Sequence, residues 1–191
     1  MIYKSIKKIS VGKLISKKDN YDKKALNMML KSYINYTNDI MKLNKKLNNK
    51  IRLPNFPSDI SENIVKFSIF KKYKQLPSWK NKSGDLNMDN KCFEVKAYSN
   101  DKTPNSFGPN EKWDKLYFVD CCNFRNYKFK IYEINLKHTS TYFKKIKINK
   151  DETYNEQCLK GKRPRISFNK LKDQIPTKYC KLIFNDLLKN L

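Results

Sequence analysis

The sequence predicts an α/β domain with a central mixed sheet of four to five strands, flanked by helices. Three observations carry that expectation. Gly84 to Tyr98 alternates apolar and polar residues around Asp89-Asn90, the pattern of a tight hairpin. Lys115 to Cys122 and Tyr127 to Asn135 are rich in β-branched and aromatic residues and read as two further strands. Ahead of them, two segments place apolar residues at helical spacing. A chain of 191 residues suits one domain, and 39% apolar residues with 13% aromatics suffice for one core.

Taken in order, the opening MIYKSIKKISVGKLISKK is basic and weakly amphipathic, either an arm for a polyanion or an ordinary solvated segment. Asp22 to Asn49 reads as a helix with Leu26, Leu30, Tyr33, Thr37, Ile40 and Leu47 on one stripe. That stripe is a core face or a dimer seam. Pro54 and Pro57 break the chain before a second helix from Ser58 to about Lys74, with Ile60, Ile64, Phe67 and Phe70 inward. Asp59 followed three residues later by Glu62 makes a capping box there. After the hairpin, Ser99 to Pro109 is a polar loop with two prolines and one of the chain's four glycines. Thr177 to Leu191, with Leu182, Ile183, Leu187 and Leu188, reads as a terminal helix.

The hairpin carries chemistry. A two-residue turn at Asp89-Asn90 opposes Met88 to Lys91, Leu86 to Phe93, and Asp85 to Glu94. Alternation then sends Leu86, Met88, Phe93, Val95 and Ala97 to one face, and Asp85, Asn87, Cys92, Glu94 and Lys96 to the other. The first set is expected as a core face and the second as a polar site. Two like charges facing each other are unfavourable unless a cation stands between them. Lys96 supplies one positive charge; a hard divalent ion, held by carboxylate oxygens, would supply the rest. Such an ion activates water and stabilises a transferring phosphoryl group, while a neighbouring lysine positions the nucleophile or helps deprotonate it. The plain alternative is an exposed ion-pair cluster worth little.

Charge balance points the same way. With 42 Lys+Arg against 18 Asp+Glu, the net charge of +24 favours polyanionic partners. No apolar run reaches the length of a membrane span and no signal-peptide core is present, so a cytoplasmic location is expected. The five cysteines include no C-x-x-C pair and the single histidine, His138, reads as a surface residue, which argues against a structural zinc site and against histidine-based nuclease chemistry. Cys121 and Cys122 are expected to pack.

Only four of the basic residues are arginine, and two of them, Arg163 and Arg165, flank Pro164 in GKRPRISF. Arginine's rigid fork matches guanine O6 and N7 in the major groove, which lysine cannot reproduce. Lys160 to Arg165 is therefore expected to form a recognition loop through Lys160, Lys162, Arg163 and Arg165, with phosphate clamping as the rival reading. Asn105 and Ser106 are further candidates for phosphate or base contact.

Ser83-Gly84-Asp85 followed by Phe93-Glu94-Val95-Lys96 resembles the core motif of the PD-(D/E)XK nucleases, and the small layout resembles type II restriction endonucleases, with a closer likeness to short enzymes that cut GCNGC sites. The run Asn105 to Pro109, leading to Trp113-Asp114 and Leu116 to Asp120, is similar to segments that follow the motif in such enzymes. The usual proline before the aspartate is missing, since Gly84 stands there. The resemblance spans about residues 58 to 135. It implies a restriction-endonuclease-like core in one nuclease domain: an arm and helix over 1–57, a catalytic core over 58–135, and a DNA-recognition loop with a C-terminal helix over 136–191. It implies Mg²⁺-dependent, sequence-specific hydrolysis of double-stranded DNA, with Mn²⁺ able to substitute. Asp85 and Glu94 would hold one or two ions and Lys96 would serve the attacking water. Glu62 would add an acidic residue from the preceding helix, unless it only caps that helix. A short two-fold target would call for a homodimer, and a cognate methyltransferase would act on the same site. A structure-selective or repair nuclease of the same fold, and a noncatalytic nucleic-acid binder, stay open as alternatives.

Overall fold

The computed structural model describes residues 23–79 and 84–191. The basic segment 1–22 and Lys80 to Ser83, which open the hairpin motif, lie outside the described residues. The chain divides at Pro54/Asn55 into two compact units.

In the first unit, helix α1 (Lys23–Asn44) buries Leu26, Leu30, Tyr33, Ile34, Thr37 and Ile40. The helix stops at Asn44, short of the expected Asn49. The Asn44 side chain explains the stop: it donates to the Ile51 carbonyl at 2.8 Å and accepts from the Ile51 N–H at 2.7 Å, so the chain folds back. Leu47 consequently lies past the helix end and is exposed.

The second unit begins with α2 (Ser58–Tyr73), whose N-cap position is Pro57 and has no side-chain cap. The expected Asp59–Glu62 capping box is therefore not the device that starts this helix. Proline pre-sets the extended backbone ahead of it, and Asp59 falls inside the first turn, where its charge suits the helix dipole. Among the described residues, eight strands of this unit form two sheets: β1 (Ser78–Trp79), β2 (Leu86–Met88), β3 (Lys91–Tyr98), β4 (Asn105–Ser106), β5 (Lys115–Asp120), β6 (Lys128–Ile134), β7 (Arg165–Ile166) and β8 (Cys180–Leu187). The main sheet has six strands in the order β1-β2-β3-β5-β6-β8, one more than expected, and β4 with β7 makes a separate two-stranded sheet. It is mixed: β3 and β5 run parallel and every other pair is antiparallel.

The expected terminal helix is instead strand β8, paired along β6 from Lys128↔Leu187 to Ile134↔Cys180 with a bulge at Ile131/Tyr132. The leucine spacing of this segment fits a helix face about as well as a strand. What decides is the outer edge of β6, whose backbone groups need a partner and find one only in an extended chain.

Both faces of the sheet are covered. On one, α2 packs, and its last residue, Tyr73, reaches Glu133 on β6 through hydrogen bonds of 3.1 and 3.2 Å. The other carries an aromatic core in which Phe107, Trp113, Phe143 and Tyr154 meet edge to face or tilted. Its outer wall comes from α3 (Thr141–Lys144), α4 (Tyr154–Leu159) and α5 (Phe168–Lys172), none of which the sequence reading resolved. His138 is not a plain surface residue: its Nδ1 lies 2.9 Å from the Trp113 carbonyl oxygen and 3.2 Å from the Trp113 backbone nitrogen. Cys121 is buried as expected, whereas Cys122 is exposed. Among the described residues no helix is long and apolar enough to cross a membrane.

Candidate active site

The hairpin forms with the expected register: Met88 pairs with Lys91, Asn87 with Cys92 and Leu86 with Phe93. Asp89 and Asn90 take φ of 51° and 59°, the two successive left-handed residues that a turn matched to strand twist requires. At the other end Gly84 has φ +73°, and a Cβ there would stand 2.7 Å from the Phe93 carbonyl oxygen. Only glycine fits both the dihedral and the close approach.

That glycine also explains where Asp85 departs from the expected geometry. The ladder ends at Leu86, and Asp85 does not stand squarely across from Glu94. Its N–H donates to the Phe93 carbonyl at 2.7 Å, and its Oδ2 accepts the Val95 N–H at 2.7 Å. The carboxylate is thus stitched across the hairpin, fixed by backbone rather than by a rotamer alone.

Glu94 is 5% exposed, and its Oε1 lies 2.5 Å from the Lys96 Nζ. The face they share is not the simple polar face expected. Glu94 and Lys96 stand in register with Leu116 and Phe118 of β5, two members of the aromatic core. The Lys96 ammonium sits 5.0 Å from the Phe107 ring centroid. The charged pair therefore lies at the margin of a hydrophobic core, and burial shows in its electrostatics. Desolvation pushes the Glu94 carboxyl up to about 7, against the pull of Lys96 and with added repulsion from Asp85 and Glu111. For Lys96, burial pulls downward, but Glu94, Glu111 and Asp85 outweigh it and the pKa ends above that of an ordinary lysine. Lys96 is an ammonium at neutral pH.

Glu111 joins the site with no signal in the sequence. It is a single carboxylate in a polar loop, with no periodicity to mark it, and only the folded chain brings it to the site. Its Oε2 lies 3.5 Å from the Lys96 Nζ and its Oε1 3.8 Å from Arg163 Nη2. Glu62, the other acidic candidate, is half-buried on α2. It is not among the charges that most shift Glu94.

The segments expected to touch DNA meet one another. Asn105 pairs with Ile166 and Ser106 with Arg165, and the Phe107 N–H donates to the Pro164 carbonyl at 2.9 Å. Buried Pro164 and Ile166 alternate with exposed Arg163 and Arg165, so both guanidinium groups leave the same side of an anchored strand. The Asn105 Nδ2 is buried without a hydrogen-bond partner.

Lys160 and Lys162 are occupied differently. Each donates to Glu152 Oε1 at 2.8 Å, and those bonds, with one from Gln157, hold the Glu152 carboxyl down at about 2. Any phosphate must compete with that carboxylate for two lysines. Glu152→Gln is accordingly expected to raise affinity for nonspecific DNA several-fold and to steepen the loss of affinity with salt by about one to two phosphate contacts. Filter binding across a salt series checks this; an unchanged slope would mean the lysines never reach DNA.

Among the described residues no cluster of three or more His, Cys, Asp or Glu side chains is placed to hold a metal ion by itself. Asp85, bonded to the Val95 N–H, lies near enough to Glu94 for its charge to be felt there. That donor set fits Mg²⁺, which takes one or two carboxylates and fills its other positions with water and substrate phosphate.

The family model described as Bsp6I restriction endonuclease matches residues 21–173 of the chain. The type II restriction enzyme Bsp6I of Bacillus sp. (strain RFL6) is 40% identical over 76 residues, 39% of this chain and 42% of that enzyme. The matched stretch thus spans less than half of the curated relative. No solved structure matches the chain.

Proposed function

Since the chain belongs to the Bsp6I restriction endonuclease family, we propose that it is an Mg²⁺-dependent endodeoxyribonuclease that hydrolyses double-stranded DNA at a specific sequence. One observation carries the reading beyond the family: Asp85, Glu94 and Lys96 converge on one hairpin, and the arginine strand reaches the same site through Glu111. Asp85 and Glu94 would hold the ion, with Glu62 a further candidate ligand. When bound there, Mg²⁺ or Mn²⁺ supplies the charge that draws a water toward hydroxide and offsets the developing charge on phosphorus. Lys96, already an ammonium, acts as a hydrogen-bond donor that orients the water or the scissile phosphate, since it has no free lone pair to take a proton. Asp85 keeps its place because the Val95 N–H holds it. Arg163 and Arg165 reach base edges or phosphates, and Ser106, paired to Arg165, approaches the same strand of DNA. A two-fold target such as the GCNGC type would be read by a homodimer in the cytoplasm, where a methyltransferase of matching specificity protects the host sequence.

Incubation of intact plasmid with Mg²⁺ tests the reading. Discrete fragments support a restriction enzyme. Cutting confined to junctions or damaged ends supports a repair nuclease, and binding without any cutting supports a noncatalytic binder. Arg163→Lys refines it: loss of cleavage at a G-containing site alone supports base reading, whereas equal weakening on all DNA refutes it.

The Glu94 carboxyl gives a pH signature. With its pKa pushed up to about 7, an entering cation must displace a proton below that pH and none above it. The Mg²⁺ concentration for half-maximal cleavage is expected to fall as pH rises from about 6 to 7 and then to level off. A requirement that does not vary across that window would place the ion elsewhere.

A further inference from the structure

Glu111 belongs to neither the hairpin nor the arginine strand, yet it touches both. One carboxylate oxygen faces the Lys96 ammonium at 3.5 Å and the other faces Arg163 at 3.8 Å. Lys96 in turn holds Glu94 at 2.5 Å. The result is an unbroken line of alternating charge, Glu94, Lys96, Glu111 and Arg163, from the buried carboxylate to a guanidinium whose side chain is 67% exposed.

The backbone is arranged to keep Glu111 in that line. Its N–H donates to the Gly108 carbonyl at 3.3 Å, closing the turn Gly108-Pro109-Asn110-Glu111. The side chain then folds back over Gly108: a Cβ at that position would lie 2.9 Å from Oε1 and 3.0 Å from Cγ. Glycine leaves the space that the carboxylate occupies. One residue before this turn, the Phe107 N–H is bonded to the Pro164 carbonyl, which ties the turn to the arginine strand.

We propose that Glu111 is a positioning residue that couples DNA recognition to cleavage, holding the Lys96 ammonium through one oxygen while its other oxygen senses whether Arg163 is engaged with DNA. The inference rests on the nuclease reading above. The guanidinium has more than one donor edge. Fixed on a base or phosphate through one edge, Arg163 keeps the other toward Glu111 and locks the carboxylate, which then draws the Lys96 ammonium from Glu94, whose oxygen becomes free to ligate. Without DNA the exposed Arg163 is not fixed, and Glu111 holds Lys96 less firmly.

A double-mutant cycle tests this in the full chain, with two readouts: the affinity for a DNA fragment carrying the site in the absence of divalent ion, and the single-turnover cleavage rate of that bound fragment with Mg²⁺. Glu111→Gln is expected to change affinity less than about twofold and to slow cleavage about tenfold, the scale of one coupled positioning contact. In an Arg163→Ala background the same substitution should slow cleavage less than about threefold, because the partner it reports on is gone. Gly108→Ala, which alters no charge, should mimic Glu111→Gln by displacing the carboxylate, and should have no further effect in Glu111→Ala. Thermal melts confirm that each variant is folded. Independent, multiplying losses from Glu111→Gln and Arg163→Ala, or wild-type cleavage by Glu111→Gln, would overturn the coupling while leaving the nuclease reading intact. A wild-type protein that cuts no DNA would overturn both.

Discussion

Asp85→Asn is expected to bind DNA as tightly as the unchanged protein and to cut it roughly 10³-fold more slowly, the scale on which a group that stabilises transition-state charge is felt. The choice of asparagine matters. Asp85 accepts the Val95 N–H at 2.7 Å, so alanine would leave that backbone donor without its acceptor, at a cost of about 1–3 kcal/mol. Lost cleavage in Asp85→Ala could then reflect a loosened hairpin. Asparagine retains an oxygen for the Val95 N–H and loses only the charge that a cation needs. Single-turnover cleavage with Mg²⁺, alongside binding in its absence, separates the two effects. Cleavage within about tenfold of wild type by a folded Asp85→Asn would remove Asp85 from the metal site and with it the proposed chemistry.

The hairpin was legible because its signals are local. Asp89-Asn90 tolerates positive φ, the flanks alternate, and register follows from the turn. The same locality recovered β5, β6 and α2 to within a few residues. Failures came where partners far apart in sequence decide. The segment Cys180–Leu187 takes its structure from the open edge of β6, and a window of its own residues holds no trace of that edge. Asn105, Ser106 and Arg165 each stand out for their chemistry, but nothing in either segment announces that Asn105-Ser106 pairs with Arg165-Ile166. Glu111 is the sharpest case, since its relevance lies wholly in the turn at Gly108 and the approach of Arg163. The division of β3 into a core face and a polar face was also too clean. Alternation correctly separated Phe93 and Val95 from Glu94 and Lys96, but it could not show that residues beyond Leu136 return to bury the second face as well.

That two-sided burial has a consequence for stability on the face away from Glu94. Glu133 is 4% exposed and accepts hydrogen bonds from Tyr117 at 2.9 Å and Tyr73 at 3.1 Å, with the Lys115 ammonium 3.4 Å away. The four groups tie the end of α2 to β5 and β6. Burial and the nearby carboxylate push the Tyr73 hydroxyl up to about 12, so it stays a donor at any working pH. Glu133→Ala removes the shared acceptor. Tyr73 and Lys115 are partly exposed and can turn to water, but Tyr117 is 1% exposed and its hydroxyl cannot. One stranded buried hydroxyl plus a small cavity should cost about 2–4 kcal/mol. Tyr117→Phe removes the donor instead of the acceptor. It leaves Glu133 with two partners, so the expected cost is about 1 kcal/mol, and in the double variant the penalty should fall short of the sum. Urea midpoints for the three proteins test the network. Equal, additive losses would mean that Tyr117 and Glu133 act independently. Folded Glu133→Ala should still cleave DNA below its melting point, because the residue faces α2 and not the Glu94–Lys96 pair; loss of cleavage in the folded variant would show that α2 must be held in place for the reaction centre to work.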